Sequence, residues 1–541
     1  MCTRVTKAVF LFLLVLGLLV FAGAKSGQAQ PHDRPEYVPD EVLVKFKDGV
    51  SPDKIDAVVM RANGRVLKKF RLADVWHLKG SAEFAIGIVN FLKGLPEVEY
   101  AEPNYLRYIN AAPNDPRYSE MWGLNNTGQS GGTPDSDIDA PEAWDAVTGS
   151  ANVVVADIDT GIDKNHEDLT DNIWVNPNEI AGNGIDDDGN GYTDDVNGWD
   201  FARDDNNPNE EAVCGGHGTH TAGTIGAEGN NGIGVTGVNW NVKIMPLKVF
   251  KTYFSIFCSA TTADIINAID YAAMMGVRVS NNSYGGGPYS QAEYDAIRAS
   301  KSVFVAAAGN DNVNTDTTPN YPSAYNLSNI IAVAATDHAD TRAWFSNYGT
   351  ATVDLAAPGV SILSTTPNDT YSFFDGTSMA TPHVAGAAAL LMGYNPSLTN
   401  NEIKWRILKG ADYKGLPVLT GGRLNINNAI LLPSPQVTIE VTPTGSTTVP
   451  RGGVITYNVS IQNTQSTAKT VSAAVVAVFP NGSEAAIIGG SLTLIGNGVF
   501  TQDYSITVPS NIALGEYQLV GRVSVPSASF DEDIVIYTIV P

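Results

Sequence analysis

Three cysteines in 541 residues are too few for a disulfide scaffold, and a chain this long can bury enough surface without one. Basic residues are scarce too: 33 Lys and Arg stand against 57 Asp and Glu, a formal charge of −24. A nucleic-acid binder carries a basic face, so this balance argues against that class. Charged residues make up only 17% and apolar ones 43%, too apolar a mixture for intrinsic disorder. Long apolar runs are missing after the first residues. The single candidate, Val9 to Ala22, follows Arg4 and Lys7 and runs into Ala22-Gly23-Ala24, a small-residue cleavage pattern. It falls short of the roughly 20 residues that a membrane span needs. Residues 1–24 are therefore expected to be a signal peptide, an uncleaved anchor being the alternative, with the membrane met only during export and the mature protein secreted.

What is present is a turn-rich chain, with 52 Gly and 29 Pro, long enough for about three or four domains. Its acidity is uneven. Lys25 to Asn110 holds 13 basic and 12 acidic residues, whereas Ala111 to Pro541 holds 18 and 45. Asp159 to Glu211 alone carries 16 acids beside Lys164 and Arg203, about half of the excess.

The patterns divide the chain. In residues 25–110 a strand-like alternation (Asp40 to Phe46), two helical stretches (Ser51 to Ala62, Ala82 to Lys93) and a returning strand (Val98 to Ala101) predict a small α+β unit. A Pro- and Asn-rich stretch, Asn110 to Pro116, reads as a linker. Residues 111–432 alternate buried strands with helices. Strands are expected over 152–158, 242–250, 277–282, 303–308 and 330–335, and helices over 262–275, 289–300, 378–392 and 400–409. That alternation implies an α/β domain, a parallel sheet with helices on both faces, whose ligands sit at the carboxyl ends of strands. After Pro433-Ser434-Pro435, residues 433–541 turn to period-two runs such as Ile455 to Ile461, spaced by turns, as in an all-β sandwich.

Three motifs follow one another in the middle domain: Asp157-Ile158-Asp159-Thr160-Gly161 at a strand end, Gly216-His217-Gly218-Thr219-His220 entering a helix, and Gly376-Thr377-Ser378-Met379-Ala380 at a helix start. A serine hydroxyl is a weak nucleophile near neutral pH and needs an imidazole to take its proton. The imidazole needs a buried carboxylate to fix its tautomer and stabilise its cation. The acid–base–serine order Asp, His, Ser is the one already recorded for subtilisin.

These motifs closely resemble those of the subtilisin-like serine proteases, or subtilases, over nearly all of Trp122 to Leu432. The resemblance implies a serine endopeptidase acting on protein or peptide substrates through an acyl-enzyme. Asp159 would orient the imidazole, His217 would serve as general base and then acid, and Ser378 would attack. Asp157, Asp163 and His220 are set aside by alignment. Ala306-Ala307-Ala308-Gly309-Asn310 matches the block whose Asn stabilises the oxyanion together with the serine N–H. Ser283, Tyr284 and Gly285, with Gly286, match the strand that pairs with an extended substrate. Ala307 and Gly309, with residues near Asn320, would line the primary pocket. Its size suggests an apolar side chain before the cut bond, while Asp311 at the rim points to a basic one.

Residues 37–109 resemble the subtilase propeptide, which implies a zymogen whose own propeptide chaperones folding and then inhibits the cleft, with processing between about Tyr108 and Asn114. The enzyme is expected to act as a monomer. Cys214 and Cys258 fall in loops that border the cleft of a subtilase. Export favours a disulfide between them, two free thiols being the alternative.

Calcium is expected to account for much of the acidic cluster, a merely solvated acidic loop being the alternative. Asp186, Asp188, Asn190, Tyr192 (by its carbonyl) and Asp194 reproduce the opening positions of a calcium loop, with Gly191 at the turn. Position twelve is Asn197 rather than Glu, so the loop is not a complete EF-hand. By resemblance, Asp115, Asp168 and Asn231 match a second site. Asp200 and Asp205, with Asn207, match a third, although Arg203 stands where that pattern has an acid. An inactive calcium-binding adhesion protein on the same scaffold is the other reading, against which the intact triad and Asn310 argue. A carboxylate-based glycosidase would have to retain its activity in Ser378→Ala.

Overall fold

A computed structural model describes residues 37–80, 85–105, 112–211, 214–253, 257–433, 436–479, 484–525 and 529–541. The expected signal peptide lies outside the described residues, as does most of the expected processing segment. The described chain falls into two compact units that divide at Ile109 and Asn110.

The first unit is a four-stranded antiparallel sheet in the order β2-β3-β1-β4. It is built from β1 (Tyr37–Phe46), α1 (Pro52–Arg61), β2 (Arg65–Phe70), β3 (Val75–Lys79), α2 (Ala85–Lys93) and β4 (Val98–Tyr105). Alternate β1 residues Val42, Val44 and Phe46 point to one face and meet Ile55 and Val58 of α1 and Leu92 of α2 in a single core. The sequence pattern located both helices and the first and last strands, β1 and β4, but not β3. It also missed β2, whose six residues are all exposed and carry no burial signal.

The second unit opens with α3 (Ala140–Trp144), β5 (Gly149–Asp159), β6 (Trp199–Asp200), α4 (His217–Gly226) and β7 (Asn241–Lys248). A hairpin of β8 (Phe250–Tyr253) and β9 (Phe257–Ala260) leads to α5 (Thr262–Met274), β10 (Val279–Asn282), α6 (Gln291–Ser300), β11 (Val303–Ala307) and β12 (Ile330–Thr336). The unit continues through β13 (Leu355–Pro358), a second hairpin of β14 (Ile362–Thr366) and β15 (Thr370–Phe374), α7 (Thr377–Tyr394), α8 (Asn400–Gly410), β16 (Asp412–Tyr413), β17 (Gly422–Arg423) and α9 (Ile426–Leu431). Nine strands form one sheet, β16-β17-β13-β12-β11-β10-β5-β7-β6, parallel except at the β16–β17 edge.

Because side chains alternate along a strand, the sheet has two cores. Val155, Ile244, Val279 and Val305 pack with α4, α7 and α8 on one face. Ala156, Leu247, Phe304 and Ala306 pack with α5 and α6 on the other. From β5 the chain moves out to β7 and then returns to the opposite side of β5 as β10. That reversal opens a crevice at the carboxyl end of β5, where such sheets bind ligands. α7 crosses beneath it and is apolar nearly all round, as a helix buried on every side must be. Eight further strands between Val437 and Val540 form sheets of three and five around a separate apolar core, the all-β region expected after residue 433.

Candidate active site

Asp159 is the last residue of β5 and is 1% exposed. Its Oδ1 lies 2.7 Å from His217 Nδ1 and also accepts from the Thr160 N–H at 2.7 Å. His217 opens α4, whose first turn rests against the Asp159-Thr160-Gly161 corner. Gly218 permits this approach, since a Cβ there would stand 2.2 Å from the Gly161 carbonyl. Glu210 clamps the corner by accepting from the Thr160 hydroxyl and from both the N–H and hydroxyl of Thr219. Burial works against a charged His217, but the facing Asp159, with Glu210 nearby, outweighs it and raises the imidazole to about 9.

Ser378 is the second residue of α7. Four residues on, Pro382 has no N–H to offer the Ser378 carbonyl. That carbonyl accepts from Ser283 Oγ instead, at 2.9 Å, while Ser378 Oγ donates to the Ser283 carbonyl at 3.0 Å. A helix-interior proline, normally costly, here lets the segment after β10 grip the serine.

Asn310 follows β11. Its Oδ1 accepts from both the N–H and the hydroxyl of Thr377, at 2.9 and 3.0 Å. This fixes the amide so that Nδ2, a donor, faces the start of α7, 3.7 Å from where a Cβ on Gly376 would lie. Gly309 is tied to the same threonine. Ser283 and Ala307 are buried, Tyr284 is half-buried with its hydroxyl on Asn282, and Gly285 is exposed. The Asn320 carboxamide lies between Gly285 and Gly309, within 2.6 and 3.0 Å of the Cβ positions those glycines leave empty. It fills the space that side chains at both glycines would need.

The carboxylate–imidazole pair thus ends β5 and opens α4, and the serine at the start of α7 lies beside the Asn310 amide, all on elements that border the sheet's switch point. Residues 150–430 match the family Peptidase_S8, described as the subtilase family. The chain belongs to the subtilases. Residues 23–104 match the fervidolysin N-terminal prodomain. The chain is 35% identical over 412 residues to a thermophilic serine proteinase of Bacillus sp. (strain AK1), which covers 74% of this chain and 89% of that one. It is 38% identical over 292 residues to thermitase of Thermoactinomyces vulgaris, covering 53% and 88%. Against subtilisin amylosacchariticus of Bacillus subtilis subsp. amylosacchariticus it is 32% identical over 432 residues, covering 78% and 99%. It is a serine peptidase made with a prodomain.

The subtilase domain carries the expected acidic groups in three different settings. Asp115, Asp168 and Asn231 come together. Asp115 accepts from the N–H groups of Asn230 and Asn231, Asp168 Oδ1 faces the Asn231 carboxamide at 2.8 Å, and Asp168 Oδ2 accepts from Val235 N. Burial, with Asp115 nearby, pushes Asp168 up to about 7.

In the second setting, the carboxylates that converge are Glu179, Asp188 and Asp195, with oxygens within 4.8 Å of one another. Of the loop residues expected as ligands, only Asp188 belongs to this trio. Asp186 folds back onto the N–H groups of Gly189, Asn190 and Gly191, and Asn190 donates its amide to Asp195. Asp194 does not face the trio: in a left-handed conformation (φ 56°) it accepts from Asn183 N and Gly184 N. The side chain of Tyr192 packs on Trp199, Phe201 and Tyr271.

The third expected site is corrected. Asp200 is fully buried and held by Lys248 Nζ at 2.6 Å, and Lys248 also meets Glu211 at 2.8 Å. Glu211 in turn pairs with Arg203. Asp205 is exposed and accepts from Asn207 N. Protein cations already neutralise Asp200, so this set does not fit a calcium ion.

Cys214 and Cys258 are joined in a disulfide that ties the loop before His217 to the β8–β9 hairpin. Glu179, Asp195, Lys248, Glu210 and Asn281 were not singled out in the sequence. They support other residues from distant positions and carry no motif.

Proposed function

We propose that the protein is a secreted, calcium-stabilised endopeptidase whose triad is Asp159, His217 and Ser378. The observation that carries the reading is the 2.7 Å contact from Asp159 to His217 Nδ1, which leaves Nε2 available to a substrate-bound Ser378. His217 Nε2 takes the Ser378 proton as Oγ attacks the scissile carbonyl. Charge builds on the carbonyl oxygen, and the Asn310 amide and Ser378 N–H stabilise it. His217 then gives its proton to the leaving amine, and water releases the acyl group by the reverse sequence.

Ser283 to Gly285 pair with the extended substrate, with the side chain before the cut bond lying in the primary pocket near Asn320. The prodomain keeps the enzyme a zymogen until it is removed. Secretion is supported by the leader-like residues 1–24 and by the Cys214–Cys258 disulfide, a bond at home in oxidising surroundings.

Calcium would be held by Glu179, Asp188 and Asp195 and by Asp115, Asp168 and the Asn231 carboxamide oxygen. These sets fit because they are oxygen donors with no Lys or Arg paired to them among the described residues. The ion would supply the positive charge that those carboxylates lack. Casein hydrolysis by purified wild type and Ser378→Ala tests the reading. A fall of about 10³-fold or more is expected, and unchanged hydrolysis would overturn it.

A further inference from the structure

Asp157 takes no part in the scheme above, yet it lies under all of it. It stands two residues before Asp159 on β5, so both carboxyls leave the same face of the strand, and each is 1% exposed. Its partners come from two other elements. Thr221 of α4, one turn beyond His217, places Oγ1 3.1 Å from Asp157 Oδ2. Asn281 of β10 donates Nδ2 to Asp157 Oδ1 at 2.8 Å.

Both contacts lead onward to the reacting groups. Thr221 Oγ1 also lies 3.0 Å from the Gly218 carbonyl, in the turn that carries His217. The second amide hydrogen of Asn281 goes to Ser283 Oγ at 3.1 Å, and Ser283 Oγ donates to the Ser378 carbonyl that Pro382 leaves unbonded. One buried carboxyl therefore joins the base-bearing helix to the nucleophile through four hydrogen bonds in series.

The proton count of this chain closes if Asp157 is neutral. Its O–H donates to Thr221 Oγ1, whose own proton goes to the Gly218 carbonyl, and its C=O accepts from Asn281. Asn281 then donates both amide hydrogens, and Ser283 keeps its proton for Ser378. The titratable groups that face Asp157 are Asp159 on its own strand and His217 on α4, with Glu210 facing His217 from beyond. Among the described residues no Lys or Arg pairs with it. Burial and the adjacent Asp159 push its carboxyl well above the ordinary carboxylate range. Two like charges cannot both persist side by side in a dry site. Asp159 faces His217 at 2.7 Å, whereas Asp157 is hydrogen-bonded only to neutral partners among the described residues.

We propose that Asp157 is a positioning residue for the triad: a neutral carboxylic acid that fixes the helix of His217 against the segment holding Ser378. Being neutral, it does this without adding a second anion beneath the imidazole. The inference rests on Asp159, His217 and Ser378 as the catalytic groups, which Ser378→Ala tests separately.

The experiment compares Asp157→Asn and Asp157→Ala in the full chain, using a chromogenic peptide with active-site titration. An amide can donate to Thr221 and accept from Asn281, so Asp157→Asn should keep kcat within about twofold and leave the acid limb of kcat/KM where it is. Asp157→Ala should lose about 10- to 100-fold in kcat with little change in KM. A shift of the acid limb to lower pH in Asp157→Asn would overturn the proposal, because it would mean that His217 had lost a neighbouring negative charge. Full kcat in Asp157→Ala would also overturn it.

If the alanine variant does not fold, infrared difference spectra of wild type against Asp157→Asn decide. A protonated carboxyl stretch at neutral pH is expected, and its absence overturns the proposal. That band reads the same in a Ser378→Ala background, so failure of the catalytic assignment would be recognised apart from failure of this one.

Discussion

Asp200 and Asp188 lie twelve residues apart in the same acidic stretch, and their surroundings are opposite. Asp200 is sealed in the sheet edge with Lys248 at 2.6 Å, and Glu211 and Arg203 complete an ion-pair chain. Asp188 meets Glu179 and Asp195, and the side-chain donor it accepts from is the neutral Asn176 amide. Both positions come from a run of 16 acids, and both are plausible ligands when read as letters. What separates them is whether the chain supplies its own cation. A carboxylate with a buried lysine has no use for calcium, whereas three converging carboxylates with none have a strong one.

The largest effect should come from removing the protein's own cation. Lys248→Met leaves Asp200 charged and unpaired in the interior, at a cost of about 3–5 kcal/mol. Urea unfolding should show that loss equally with and without added calcium. Rescue by calcium would mean that Asp200 is a metal ligand after all.

A smaller effect separates the two loop aspartates. Chelation should lower the melting temperature of wild type, calcium at a hundredfold its Kd being worth about 2.7 kcal/mol. Asp188→Asn should abolish most of that response. Asp194→Asn should keep it, losing only about 1 kcal/mol for its backbone bonds, with calcium titration calorimetry as the check. Equal calcium binding by wild type and Asp188→Asn would remove the trio from consideration.

The smallest effect concerns pH. Arg203 and Lys248 outweigh burial and hold Glu211 down at about 2. A depressed carboxylate contributes stability above its unfolded value, about 4.3, and loses it as pH falls towards 2. Glu211→Gln should therefore be less stable than wild type at pH 7, with the gap closing by pH 2. A gap independent of pH would show that packing, not charge, is lost.

The same contrast explains what could be read in the sequence. β5, β7, β11 and β12 were legible because strands buried on both faces write largely apolar runs. α7 was legible because its small and apolar residues admit no other place than a core. Asp159, His217, Ser378 and Asn310 were legible because each sits in a short stretch with glycine at the position where backbones must meet. Lys248 was not. It is the last residue of an ordinary buried strand, and only the sheet order puts it beside Asp200 across β6. Glu179, Asp195 and Asn281 share that property: their partners lie in other elements, so no local pattern names them. Asp157 was visible, but alignment to the Asp-Thr-Gly unit passed over it.

The strand order also has a consequence in time. β5 is the first strand of the nine-stranded sheet to be made, and Ser378 follows His217 by 161 residues. At roughly 5–20 residues per second, a ribosome needs about 8–32 s to cover that distance. A chain that stops short of α7 holds an acid and a base with no nucleophile, and its sheet lacks the helix that closes one face. On the proposed assignment no fragment can cut its neighbours during synthesis. The order of translation therefore withholds the nucleophile until most of the domain that would use it has been made.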